Sequence, residues 1–165
     1  MKSIILNATA FIFTLCLAVP AQAENPAHVK QLRETNLCQQ CDLSGANLSG
    51  AHLIGADLRG ANLKGATFES ANLEGADLTN ANLEGANFSK SYLNSASLNQ
   101  ANLRQVNFSK ANLSFANLIG ANLINANLDN ANLLSADLRQ ADVASQTLET
   151  ANLESARLPE GVNVE

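Results

Sequence analysis

From Cys41 onward, apolar and polar side chains follow one another in blocks of five that never lose phase. Ala46-Asn47-Leu48, Ala51-His52-Leu53, Ala56-Asp57-Leu58 and Ala61-Asn62-Leu63 lead without insertion to Ala156-Arg157-Leu158. Counted on the central apolar residue there are 24 blocks, centred at 43, 48 and so on to 158. The centre is Leu or Phe in 23 of them, with Val143 the exception. Two residues earlier stands Ala in 20 of 24, with Cys41, Ser91, Val106 and Gln146 as exceptions. Asn or Asp fills the place between in 18 of 24.

A period of five suits neither a long helix nor a long strand. Ala-x-Leu is a strand of three residues, with two side chains directed inward and the polar one between them outward. The next two places are polar or Gly, as in Ser44-Gly45, Arg59-Gly60, Glu74-Gly75 and Glu84-Gly85. Such residues tolerate tight corners. A chain that runs three residues, bends and repeats in constant phase winds into a coil, and its inward residues stack on their equivalents one coil away. Phe68, Phe88 and Phe108 are spaced by four blocks, so a four-sided coil puts their rings in one column. Gln146 is then the least comfortable inward residue, an amide where Ala belongs, and the chain around 141–150 is expected to be locally looser.

The two ends of the chain read differently. In residues 1–23 Lys2 is the only charge, residues 4–19 are mostly apolar, and the segment closes on Pro20-Ala21-Gln22-Ala23. This is the pattern of a secretory signal peptide cut after Ala23. Asn7, Thr9 and Thr14 interrupt an apolar run shorter than the roughly 20 residues a membrane span needs, so no stable membrane insertion is expected after cleavage. Asn25-Pro26 has the chemistry of a helix start, and residues 26–35 are expected to form a short capping helix presenting Val29 and Leu32 to the first coil. Residues 159–165 show no helix pattern. The organisation expected is therefore signal peptide 1–23, helical cap and junction 24–37, repeat coil 38–158 and tail 159–165.

Composition follows from the repeat. The 165 residues include 27 Ala, 26 Leu and 22 Asn but no Trp and one Tyr, a palette too narrow for an ordinary mixed globular enzyme. The formal charge is −5; loss of Lys2 leaves nine basic and fifteen acidic side chains, 9 − 15 = −6. An acidic chain is not expected to bind nucleic acid. Cleavage also removes Cys16, leaving Cys38 and Cys41 as a pair. Their simplest reading in an exported chain is a structural disulfide at the junction of helix and coil. A redox-active CxxC is the alternative, without the βαβ context such motifs have, and zinc lacks ligands at motif spacing.

The block A(D/N)LXX, sustained over residues 41–158, resembles the pentapeptide-repeat family. The resemblance implies an all-β solenoid, a right-handed four-sided β-helix with four blocks per coil. The chain would then make about six coils, a rod about 29 Å long. The stretch Cys38-Gln39-Gln40-Cys41-Asp42-Leu43-Ser44-Gly45-Ala46 behind a signal peptide is similar to exported cyanobacterial members, which implies the thylakoid lumen or the periplasm. Family members that dimerise through a terminal coil imply a homodimer through the C-terminal coil.

No catalytic motif is present: there is no GxGxxG, Walker loop, HExxH or GxSxG. His52 and Tyr92 share a column but lie two coils apart, about 10 Å by strand spacing, too far for a catalytic pair. No catalytic residue, cofactor or metal is assigned. Some members of the family imitate duplex DNA and bind gyrase. Here the charge sorts thinly over four faces, with Lys and Arg interrupting three of them, where phosphate mimicry requires a dense acidic stripe. Outward apolar residues gather late in the repeat: Phe115, Ile119, Ile124 and Leu134 occupy corner places, and Phe115 and Leu134 should be neighbours on successive coils. They are the candidate interaction patch. The sequence thus favours a non-enzymatic exported scaffold that binds a protein partner, over a DNA-mimicking regulator of gyrase or a thiol redox protein.

Overall fold

The computed structural model describes residues 24–164; the signal-peptide reading concerns residues outside that range. Among the described residues there are two helices, α1 (Pro26–Thr35) and α2 (Ser145–Leu148). Between and beyond them the described chain forms isolated parallel bridges instead of longer strands. Each joins residue i to residue i+20, from Leu37↔Asp57 through Tyr92↔Asn112 to Asp137↔Arg157. A twenty-residue offset is four blocks of five, so each circuit has four sides and four corners.

The central Leu or Phe of every block from Leu43 to Leu138 is buried, as is the Ala two places before it save Ala51, which is partly buried. Phe68 and Phe88 stack at a centroid distance of 4.5 Å and an interplanar angle of 10°, and Phe88 meets Phe108 at 5.3 Å and 40°. The rings do form one column.

What fixes the polar places is the need to satisfy every backbone N–H. The block Ala86-Asn87-Phe88-Ser89-Lys90 illustrates this. Ala86 N donates to Leu83 O across the preceding corner at 2.9 Å, and Asn87 N to Ala66 O of the preceding circuit at 2.9 Å. Phe88 N donates to Asn107 O at 2.7 Å and Lys90 N to Ser109 O at 3.0 Å, both in the following circuit. Only Ser89 N has no backbone partner. It donates to Asn87 Oδ1 at 3.0 Å. The same bond recurs from Ser49 to Asn47, Glu74 to Asn72, Ser109 to Asn107 and Ile124 to Asn122. Asn and Asp recur because a short side-chain acceptor two residues back completes the set. The middle residue points outward as expected, but many of these side chains are half-buried and bonded as well. Their amides also link circuits, as Asn102 Nδ2 to Asn82 Oδ1 at 2.9 Å and Asn152 Nδ2 to Asn132 Oδ1 at 3.0 Å.

Up to Gln140 the last residue of each block adopts positive φ, from Gln40 (54°) through Gly50 (63°) and Phe115 (59°) to Gln140 (61°). This left-handed conformation turns the corner and is natural for Gly.

At the N-terminal end α1 replaces the missing circuit. Asn25 caps it by accepting from Ala27 N at 3.1 Å, Pro26 opens it, and Leu32 is fully buried. The first circuit's upper edge would otherwise leave backbone groups open. His28 Nδ1 accepts from Asp42 N at 3.0 Å, and an Arg33 guanidinium nitrogen donates to Asn47 O at 3.2 Å. Side chains of the cap thus stand in for the absent strand.

Among the described residues the ladder is interrupted between Asn122↔Asp142 and Asn132↔Asn152. Residues 145–148 form the single turn α2, Gln146 is exposed, and Leu148 remains fully buried. Gln146 was expected to point inward. An amide in an Ala slot would have no partner there, and the chain turns outward instead.

Replacing Asn87 by Ala should orphan the N–H of buried Ser89 and remove an acceptor from Asn107, costing about 1–3 kcal/mol in urea denaturation. Asn87→Asp should cost much less, since the carboxylate keeps the acceptor. Gly50 has φ +63° and nothing within 4 Å of an added Cβ, so Gly50→Ala should cost about 1 kcal/mol from backbone strain alone.

Candidate functional site

The columns of Ala, Leu and Phe fill the interior of the coil, so the surface carries whatever chemistry the chain offers. Most of its basic groups are paired with acidic ones. Arg59 donates to Asp57 through Nε at 2.8 Å and a terminal nitrogen at 2.6 Å, and Nε lies 3.6 Å from Asp77. Arg139 holds Asp137 at 2.9 and 2.7 Å, with Arg157 at 3.7 Å. These guanidinium bonds hold both aspartates below the usual carboxylate range. Asp42 is also lowered, chiefly because Ser44 donates to it from Oγ at 2.8 Å and from its backbone N at 3.2 Å. Lys64 meets Glu84 at 3.3 Å and Lys90 meets Glu69 at 3.0 Å. Acidic groups bound in this way stabilise corners and link circuits.

His52 and Tyr92 lie in one column with Asn72 bridged between them, two circuits apart as the spacing requires. Among the described residues no group of three or more His, Cys, Asp or Glu is placed to hold a metal ion. No helix among them is long and apolar enough to cross a membrane.

Cys38 and Cys41 occupy a central and an Ala place at the first corner. Both are buried, with Cα atoms 5.2 Å apart and sulfurs at bonding distance, 2.07 Å. The pair brackets the turn closed by Cys41 N donating to Cys38 O at 3.3 Å. It sits directly under α1.

The four outward apolar residues do not form one surface. Phe115 and Leu134 are neighbours at one corner, joined by Phe115 N to Leu134 O at 2.9 Å. Ile119 and Ile124 lie at the next two corners in turn and are half-buried. Each five-residue step carries the chain to a new side, so closeness in sequence separates these residues in space. Phe115 is 60% exposed and has φ +59°. That conformation is rare for a bulky residue. At most other corners the place belongs to Gly, Ser, Asn, Gln or Lys.

Two further exposed apolar residues escaped the sequence reading, Leu37 at 59% and Ile54 at 55%. Asn36 Nδ2 donates to Ile54 O at 3.3 Å, which sets Ile54 beside the end of α1, next to the residue that precedes Leu37. Ile54 stands in a corner place, so the rule that picked out Leu134 would have found it.

The pentapeptide-repeat sequence pattern matches the chain in eight copies, over residues 31–69, 41–80, 71–109 and 107–143. No curated protein matches the chain significantly. Among solved structures it is similar to a trypsin-treated variant of QnrB1, a plasmid-mediated fluoroquinolone resistance protein. The two are 24% identical with a TM-score of 0.65, over 75% of this chain and 62% of that one. The chain thus spans less than two thirds of QnrB1, and at this identity the likeness is one of fold. A pentapeptide repeat protein from the cyanobacterium Cyanothece 51142 is 28% identical with a TM-score of 0.44, covering 84% of this chain and 97% of its own. Another, from the thylakoid lumen of Arabidopsis thaliana, is 28% identical with a TM-score of 0.38, covering 76% and 84%. With the repeat pattern matched over more than half its length, this chain belongs to the pentapeptide-repeat family.

Proposed function

We propose that this chain is a non-enzymatic, exported scaffold that presents a rigid surface to a protein partner, with Phe115 and Leu134 as the contact. The observation that carries the reading is Phe115. A 60% exposed aromatic ring in the left-handed backbone conformation is unfavourable twice over, in solvation and in strain. The described residues leave the ring largely uncovered. Strain that persists against an easy alternative, Gly, points to a role outside the fold, and Leu134 beside it enlarges the apolar surface a partner would cover.

Export rests on the basic, apolar and small-residue pattern of residues 1–23, which fits the thylakoid lumen or the periplasm. The coil is read as right-handed with about six circuits, and the cysteines as a structural disulfide that ties off the first corner under α1. The uncovered C-terminal end, where Leu153, Ala156, Leu158, Val162 and Val164 are only partly buried, fits a homodimer through that end. The ion pairs weigh against DNA mimicry. Lys64 with Glu84, Lys90 with Glu69, and the arginines around Asp57 and Asp137 place cations among the acidic groups on three of the four faces.

Phe115→Gly separates binding from folding. It should raise stability by about 1 kcal/mol in thermal or urea denaturation, and together with Leu134→Ser should abolish capture of the partner from the native compartment. Unchanged capture would remove this corner from the reading. Intact mass of the mature protein should begin at Glu24 and rise by about 2 Da on reduction, one hydrogen for each cysteine. Two thiols before reduction would leave the corner without its bracket.

A further inference from the structure

The interruption at α2 has a geometry unlike that of a simple defect. The centres Val143 and Leu153 remain two blocks apart, and the bridges on either side, Asn122↔Asp142 and Asn132↔Asn152, keep the twenty-residue register. No residue has been inserted. The segment between them therefore has the length required for the regular laddered path, yet it takes another.

In the path it takes, Thr147 N donates to Ala144 O at 3.0 Å, closing the helical turn. The register would instead pair Thr147 N with Ala126 O, Leu128 N with Thr147 O, Asn125 N with Ala144 O and Asn130 N with Glu149 O. None of these four bonds is present among the described residues. The wall of the coil is open here. Ala126, Val143 and Ala141, at 9%, 8% and 7% exposure, are the most exposed residues of a core whose other members are nearly all below 2%. Leu148 stays fully buried and anchors the segment.

We propose that residues 144–150 are a two-position strap: open, as α2, or closed into the ladder, with Gln146 setting the balance. Closing forms four backbone bonds at the expense of the Thr147 N to Ala144 O bond of the turn, and seals the core. Its obstacle is the amide of Gln146, which the closed path would place in an Ala slot without a partner. The two positions also demand different conformations of Ser145. In the closed path it is the corner residue with positive φ, like Gly65, Gly85 and Asn125 one to four circuits before it. In the open path it is the first residue of α2, following Ala144 in an extended conformation with ψ 146°. Opening leaves a row of unpaired N–H groups on Asn125, Leu128 and Asn130. The strap is a conformational device independent of the Phe115 corner.

The demands on Ser145 supply the test. Proline cannot adopt positive φ but is suited to the first helical position and to an extended residue before it, so Ser145→Pro locks the strap open. Ser145→Gly combined with Gln146→Ala removes both obstacles to closing. Amide hydrogen exchange of Leu128 and Asn130 should be at least about tenfold slower in the closing variant than in Ser145→Pro. The unaltered protein should match Ser145→Pro or fall between the two. The amides of Leu83 and Phe88 report in each variant that the coil is intact. If it is, and Leu128 and Asn130 exchange equally fast in all three proteins, the segment has one position and the proposal is overturned. Gln146→Ala alone serves as the closing variant if the double substitution costs protection at Leu83 and Phe88.

Discussion

The structure depends on a single unpaired donor. Once the chain bends every five residues, four of the five backbone N–H groups in a block find carbonyls, one across a corner and three in adjoining circuits. The fifth, on the residue after the central Leu or Phe, finds none. A side-chain oxygen two residues back is in position to accept from it, and Asn and Asp are short enough to present one there. That bond settles the identity of the outward middle place, as apolar burial settles the two inward ones. Corner, column and ladder are consequences of satisfying both demands together.

Much of this was legible because it is written in periodic chemistry. Ala and Leu alternate with the inward columns, small and polar residues mark corners, the Phe spacing gave the circuit, and Asn25-Pro26 announced α1. The reason for Asn was not legible, since an outward polar residue and a bonded one look alike until the backbone is in place. Gln146 was recognised as misplaced, but the remedy was not foreseen: the chain removes the amide from the core while leaving Leu148 in it. The four late apolar residues were grouped by sequence, although only Phe115 and Leu134 meet. In a four-sided coil, nearness in space is measured in steps of twenty residues, and a difference of five changes the side.

The two ends and the flaw in the wall solve one problem in different ways. A stack of circuits needs something to receive the bonds of its outermost edge. At the start α1 does so with side chains, His28 and Arg33 substituting for carbonyl and amide. At the other end Leu153, Ala156, Leu158, Val162 and Val164 are only partly buried. At α2 the circuit is present in length but not in the ladder, so an edge appears inside the stack. Each arrangement sets how readily the chain offers its backbone to something else.

The asparagine bonds also bear on how long the molecule lasts. Asparagine ages when the backbone nitrogen of the next residue attacks its side-chain carbonyl, closing a ring that opens to aspartate. In this coil that nitrogen belongs to the central Leu or Phe and is held in an inter-circuit hydrogen bond, as Phe88 N is to Asn107 O. The carbonyl under attack is turned the other way, toward the N–H one residue further on, as Asn87 Oδ1 is toward Ser89 N. Attacker and target are therefore fixed apart in block after block. Of the 22 asparagines, the eleven held in this way, Asn87 and Asn107 among them, are thereby shielded from the chemical decay that residue usually brings, by the same bond that shapes them.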